Sequence, residues 1–101
     1  MRPQKQYAFA TNPDRDARKM IRAAILLSTG RTAEFYNDRR AFGRRLAFKI
    51  GHTDPAKAKR CADELRTIKH RLELTNWAVA THRGDSPRRP IITLLYCYCK
   101  D

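Results

Sequence analysis

The sequence predicts an α+β fold in which an N-terminal strand, three helices and a C-terminal β-hairpin follow one another, with the strand joining the hairpin in a small antiparallel sheet. Apolar residues recur at helical spacing behind capping residues through the middle of the chain. Aromatic and β-branched residues alternate with small ones at both ends, and a loop with glycine and proline separates the last two segments. A mainly α fold is the alternative, with the third helix extended through Ala80.

The first two elements meet at Asn12 and Pro13. Before this point, residues 7–11 alternate aromatic and small side chains, which is typical of a short strand. After it, Asn12 is a suitable N-cap and Pro13 a suitable first helical residue, so helix one is expected to run to Gly30. Its core face on a helical wheel comprises Ala17, Met20, Ile21, Ala24, Ile25 and Leu27. Its opposite face comprises Arg15, Arg18, Lys19 and Arg22.

Helix two is predicted from Thr32, a possible cap, to about Ile50, where Gly51 ends it. Its apolar stripe consists of Phe35, Phe42, Leu46 and Ile50. Arg39 falls within this stripe, and a buried arginine needs a charged partner. We therefore expect either a carboxylate or a phosphate beside Arg39, or a bend of the helix near residues 41–43.

Helix three begins at Asp54 and Pro55, which form a second start signal. Its apolar positions recur at alternating steps of three and four residues and form a seam of Ala58, Cys61, Leu65, Ile68 and Leu72. Packing of the seam against the other helices of the same domain is the simpler interpretation. Pairing with a second copy, which would give a homodimer, stays open.

The C-terminal hairpin is predicted from two segments of strand character. Residues 77–81 alternate, and residues 91–99 are rich in isoleucine, leucine, threonine and tyrosine. The intervening loop contains one glycine and two prolines, and three arginines lie at this tip: Arg83, Arg88 and Arg89.

The size and charge of the chain limit the classes of function that it can have. A chain of 101 residues is expected to form one small basic domain over residues 1–101. Its 22 Lys and Arg residues against 10 Asp and Glu residues give a formal charge of +12. Such an excess favours a polyanionic partner, nucleic acid before others, whether DNA or RNA. The apolar runs are too short for a membrane span, and the first residues lack a secretory apolar segment, so a cytoplasmic protein without membrane contact is expected.

The leading hypothesis is a non-catalytic nucleic-acid-binding or regulatory protein that uses an arginine-rich face. The guanidinium group suits this role because it forms bidentate hydrogen bonds to phosphate. The residues predicted to bind are Arg15, Arg18, Lys19 and Arg22 on helix one, Arg40, Arg44 and Arg45 on helix two, and Arg83, Arg88 and Arg89 at the hairpin tip. A platform for base stacking is a less favoured addition, with Tyr7, Phe9, Tyr96 and Tyr98 as candidates.

The alternative function is a small protein-binding inhibitor or adaptor, of the type found among phage and plasmid accessory proteins, that docks its basic face on an acidic partner. Enzyme activity is not expected, because the sequence has no paired carboxylates at catalytic spacing and no glycine-rich phosphate loop. Cys97 and Cys99 share one strand face but lack a second pair of ligands. We therefore expect reduced thiols, and no metal or other cofactor.

Overall fold

Two helices and four strands follow one another in the computed structural model, which describes residues 8–100 apart from the side chain of Asp85. The element order is α1 (Arg15–Thr29), β1 (Glu34–Arg40), β2 (Gly43–His52), α2 (Pro55–Arg71), β3 (Ala78–Ser86) and β4 (Arg89–Cys99). The strands form one sheet of order β1-β2-β4-β3, and every neighbouring pair is antiparallel. The chain is therefore α+β, but it has two helices and two hairpins rather than the predicted three helices and one hairpin.

Both helices pack on the same face of the sheet. The central strands β2 and β4 supply alternate residues to the core, among them Leu46, Phe48, Leu95 and Cys97. The helices contribute Ile21 and Ile25 from α1 and Cys61, Leu65 and Ile68 from α2. Trp77, which precedes β3, stacks on Phe48 with ring centroids 6.2 Å apart. Because side chains of a strand alternate between faces, the intervening residues of β2 and β4 point away from the helices.

The predicted helix two is wrong, because residues 34–52 form the β1–β2 hairpin. Positions 42, 46 and 50 are four residues apart, and a step of four also satisfies the two-residue period of a strand. Phe48 decides between the two periods, since Leu46, Phe48 and Ile50 alternate in the core whereas a helix would place Phe48 away from Leu46. Arg39 is exposed on β1, and the bend expected near residues 41–43 is the turn of the hairpin.

The predicted N-terminal strand is also wrong in its extent and direction. Tyr7 lies outside the described residues. Phe9 makes a single bridge to Tyr98 of β4, and this bridge is parallel rather than antiparallel. The backbone N–H of Ala10 donates to the carbonyl of Tyr98 at 2.8 Å. The segment therefore extends the sheet by one bridge beside the end of β4.

Helix α1 begins two residues later than the sequence suggests. Asp14, rather than Asn12, is the N-cap, and its carboxylate accepts a hydrogen bond from the N–H of Ala17 at 2.8 Å. Gly30 ends the helix in the left-handed conformation, as predicted. The core face is narrower than predicted, because Ile21 and Ile25 are buried whereas Met20 and Leu27 are 52% and 87% exposed.

Helix α2 confirms the third predicted helix, and β3 and β4 confirm the hairpin after it. The predicted loop over residues 84–90 is wrong in extent, because the strands run to Ser86 and from Arg89. Asp54 caps α2 by accepting from the N–H of Ala56 at 3.0 Å. The helix stops at Arg71, and the turns at Glu73 and Asn76, both with positive φ, lead into β3. The mainly α alternative is therefore wrong. The seam is buried within the same chain, which leaves it unavailable for pairing with a second copy.

Candidate functional site

The candidate site is the open face, defined as the sheet face opposite α1 and α2. Strand register and alternation assign its side chains. They are Glu34, Tyr36, Asp38 and Arg40 of β1, Arg45, Ala47, Lys49 and Gly51 of β2, Ala78, Ala80 and His82 of β3, and Ile92, Leu94, Tyr96 and Tyr98 of β4. Within residues 8–100, no helix covers this face. Ala47 is nevertheless 0% exposed and Leu94 is 1% exposed, so the larger side chains around them lie over the sheet.

Basic side chains on the open face lie against aromatic rings. The guanidinium carbon of Arg45 is 5.4 Å from the ring centroid of Tyr96. The Nζ of Lys49 is 4.5 Å from the ring centroid of Tyr36. These cation–π contacts hold the two long side chains against the sheet. Arg40, Arg45 and Lys49 have no carboxylate within 4.0 Å among the described residues.

Arg89 joins the open face from the start of β4. It lies over Gly51, where an added Cβ would collide with its side chain, and its Nη1 donates to Glu34 at 2.9 Å. Glu34 also accepts from the hydroxyl of Tyr36 at 2.6 Å. The Tyr36 hydroxyl, then Arg89, lowers the pKa of Glu34. The carboxylate thus stays charged, and Lys49, its partner across the two strands, adds a smaller coulombic contribution in the same direction.

Two guanidinium groups of the open face contain unused donors. The Nε–H groups of Arg45 and Arg89 are buried and have no hydrogen-bond acceptor among the described residues. A buried donor without an acceptor costs about 1–3 kcal/mol. An anion that drew these side chains outward would supply the missing acceptors.

An aromatic ladder, defined as Tyr96, Tyr98, Phe42 and Phe9, runs from the middle of the open face to its end. Successive ring centroids are separated by 5.9 Å, 5.2 Å and 6.1 Å, and the ring planes are inclined by 85°, 64° and 59°. Phe42 comes from the β1–β2 turn and is 36% exposed. Lys100 lies beyond the far end, with its Nζ 5.1 Å from the Phe9 centroid.

The residues that the sequence analysis selected divide between two surfaces. Arg40, Arg45 and Arg89 lie on the open face. Arg15, Arg18, Lys19 and Arg22 lie on α1 in the helical layer, where the Arg18 guanidinium is 5.5 Å from the Phe35 ring centroid. Arg44 and Arg83 occupy helix-side positions of β2 and β3, and Arg88 lies in the tip turn. Arg44 donates to Asn37 at 3.3 Å.

Sequence reasoning missed Lys49, Tyr36 and Phe42 as members of the site. The signal was present, because a period of two over residues 43–52 places Arg45 and Lys49 opposite Phe48, whereas a helical period turns Phe48 towards their side. Of the stacking candidates, Phe9, Tyr96 and Tyr98 belong to the ladder, and Tyr7 lies outside the described residues.

Cys97, Cys99 and His52, whose side chains could act as metal ligands, are buried in the core. Cys97 and Cys99 are buried with their Sγ atoms 3.7 Å apart, and burial, followed by the neighbouring Cys99, raises the pKa of Cys97. His52 is buried with its Nε2 3.0 Å from the Thr93 hydroxyl, which donates to Cys61 Sγ at 3.2 Å. Over residues 8–100, no three metal-ligating side chains cluster.

Comparisons with protein-family models, curated proteins and solved structures give no match to this chain. Within the described part of the chain, neither helix combines the length and apolar character that crossing a membrane requires. The open face must therefore be interpreted from its own side chains.

Proposed function

We propose that this protein binds nucleic acid, without catalysing a reaction on it, through the open face of its sheet. The observation that carries the proposal is that Arg40, Arg45 and Lys49 have no carboxylate oxygen within 4.0 Å among the described side chains. Arg45 and Lys49 also lie against the rings of Tyr96 and Tyr36. Phosphates would replace the missing counter-ions, and release of condensed cations from the nucleic acid would favour the complex.

The net charge of the chain supports the same conclusion. A formal charge of +12 on 101 residues produces self-repulsion in the folded state, which a polyanion relieves. The open face concentrates part of this charge, and Glu34, one of its two carboxylates, is bound by Arg89 and Tyr36.

The test is the salt dependence of binding by the double variant R40A/K49A. Wild-type protein should bind a labelled oligonucleotide with an affinity that falls linearly with salt on logarithmic axes. Loss of two phosphate contacts should reduce the slope by about 1.4 for a single strand, since each contact contributes about 0.7. Anisotropy titrations between low and physiological salt measure both quantities.

The matched control is K57A/K59A, which removes the same charge from exposed positions of α2 in the other layer. We expect this control to keep nearly the wild-type slope. Equal losses in the two double variants would show that net charge rather than the open face determines binding. Absence of wild-type binding at every salt concentration would refute the proposal.

The basic stripe of α1 stays a separate prediction. Arg15, Arg18, Lys19 and Arg22 belong to the helical layer, so a flat strand on the open face does not reach them. The variant R15A/R22A should therefore bind as the wild type does if the open face alone is used. A loss as large as that of R40A/K49A would assign the main contact to α1.

A second candidate function, docking on an acidic protein, is favoured by the apolar surface of α1. Met20, Leu26 and Leu27 are 52%, 46% and 87% exposed, on a helix that also presents basic residues. Mixed apolar and basic surfaces suit protein partners. This candidate gains if no nucleic acid binds and a nuclease-treated lysate yields one acidic protein that the L27E variant fails to retain.

A further inference from the structure

We infer that the open face takes single-stranded nucleic acid, whose bases stack on the aromatic ladder of Tyr96, Tyr98, Phe42 and Phe9. The inference rests on the proposed function and specifies its ligand. The bases of a duplex are paired and stacked inside the helix, so their faces are not available to aromatic rings. A duplex would therefore contact only the cations of the open face, through its phosphates. A single strand exposes its base faces, and aromatic side chains that accept them bind it without strong sequence preference.

The arrangement of the rings supports stacking. Tyr96 and Tyr98 meet at 85°, and Phe42 meets Tyr98 at 64°, so each contact joins an edge to a face. Tyr96, Tyr98 and Phe9 are half-buried, so part of each ring is accessible. Phe42, at the tip of a hairpin, is 36% exposed and belongs to neither the buried core nor a helix interface.

The surroundings of the ladder supply the phosphate contacts. Arg45 contacts Tyr96 at one end, and Lys100 contacts Phe9 at the other. A single strand laid along the rings would therefore have a cation near each end. One nucleotide chain carries both bases and phosphates, and this face presents rings for the former and cations for the latter.

The register of the sheet alternates large and small side chains beside the ladder. Tyr36, Ala47, Tyr96 and Ala78 are aligned across the four strands. The two tyrosine backbones are two strand spacings apart, about 10 Å. Ala47 between them is 0% exposed, so a base would contact the rings and the cations that lie over the sheet rather than its backbone.

Three probes of equal length distinguish stacking from charge: oligo(dT), an abasic single strand and a duplex. Wild-type protein should bind oligo(dT) at least tenfold more tightly than the abasic strand at the same salt concentration, because only the former has bases. Quenching of tyrosine emission by oligo(dT), but not by the abasic strand, would support the contact without any substitution.

The variant F42L/Y96L keeps apolar side chains but removes two rings of the ladder. It should lose the preference for oligo(dT) over the abasic strand and keep nearly the wild-type salt slope, because Arg45 loses the ring of Tyr96 but retains its charge. F35L makes a matched change on the helix side of the sheet and should retain the preference. Emission from buried Trp77 reports whether each variant is folded.

The outcomes separate the two claims. If oligo(dT) and the abasic strand bind equally, or the duplex binds more tightly, base stacking is overturned while nucleic-acid binding stands. If F42L/Y96L keeps the wild-type preference, the ladder is not the stacking site. If none of the three probes binds, the proposed function itself fails.

Discussion

At the scale of single residues, His52 shows how burial couples the protonation of a side chain to the stability of the fold. It is 8% exposed at the end of β2, beside Thr93, which is fully buried. Desolvation, followed by the positive charge of Arg31, lowers the pKa of His52 below its ordinary value of 6.5. The neutral imidazole is therefore the form that the folded chain prefers.

This preference predicts a loss of stability in mild acid. Below about pH 6.5 the unfolded chain binds a proton at His52 that the folded chain resists, so the free energy of unfolding falls as pH decreases towards the folded-state pKa. Urea unfolding at several pH values between 7.5 and 5.5 should show this decline for the wild type and a weaker one for H52Q. H70Q, at an exposed position of α2, is the control and should decline as the wild type does. An unchanged decline in H52Q would assign it to other groups.

The sequence reveals the excess of charged residues at the site but not how these residues pair. The charge excess is visible in the sequence, and it predicts a polyanionic partner. The pairing of Arg89 with Glu34, 55 positions apart, is not visible, because it depends on both hairpins meeting in one sheet. Which cations lack a partner could therefore not be derived before the fold was known.

At the scale of elements, the β1–β2 hairpin is where sequence reasoning failed. Helix caps at Asp54 and Gly30 were identified correctly because capping chemistry is local. The period of residues 34–52 was not identified correctly, because apolar residues four positions apart are compatible with both a helix and a strand. Assigning the strand period instead would have placed Arg45 and Lys49 on the face opposite Phe48.

Gly43 is the residue on which this hairpin depends. Its φ is +146°, and an added Cβ would collide with the backbone carbonyl oxygen of Cys99. We expect Gly43→Ala to lower the free energy of unfolding by about 2 kcal/mol or more, since strain and steric conflict add. Gly30→Ala is a matched control, because Gly30 also has a positive φ, of +73°, but open space around it.

Urea unfolding of the two variants measures the difference. Gly43→Ala should cost clearly more than Gly30→Ala, and it should also weaken oligo(dT) binding, because the turn that carries Phe42 would shift. Equal costs would mean that the strands separate readily at this point and that the close approach of β2 to Cys99 is not needed.

At the scale of the whole molecule, the fold separates two basic surfaces that the sequence analysis treated as one. The α1 stripe and the open face lie in different layers, with the sheet and its core between them. Their charges still interact through the folded chain as a whole, since a Debye length of roughly 10 Å at 0.1 M salt spans much of a molecule whose shortest extent is 22 Å.

Self-repulsion should therefore make stability depend on salt even in the absence of a ligand. Raising sodium chloride from about 0.01 M to about 0.1 M shortens the Debye length from roughly 30 to 10 Å, and the urea midpoint of the wild type should rise. The variant K57E/K59E lowers the formal charge by four, from +12 to +8, and its midpoint should rise less.

Specific anion binding at the open face would instead leave K57E/K59E with the wild-type increase and reduce the increase in R40A/K49A. A midpoint that stays constant or falls with salt would show that the excess charge does not destabilise the fold, which would remove the energetic support that self-repulsion gives to a polyanionic partner.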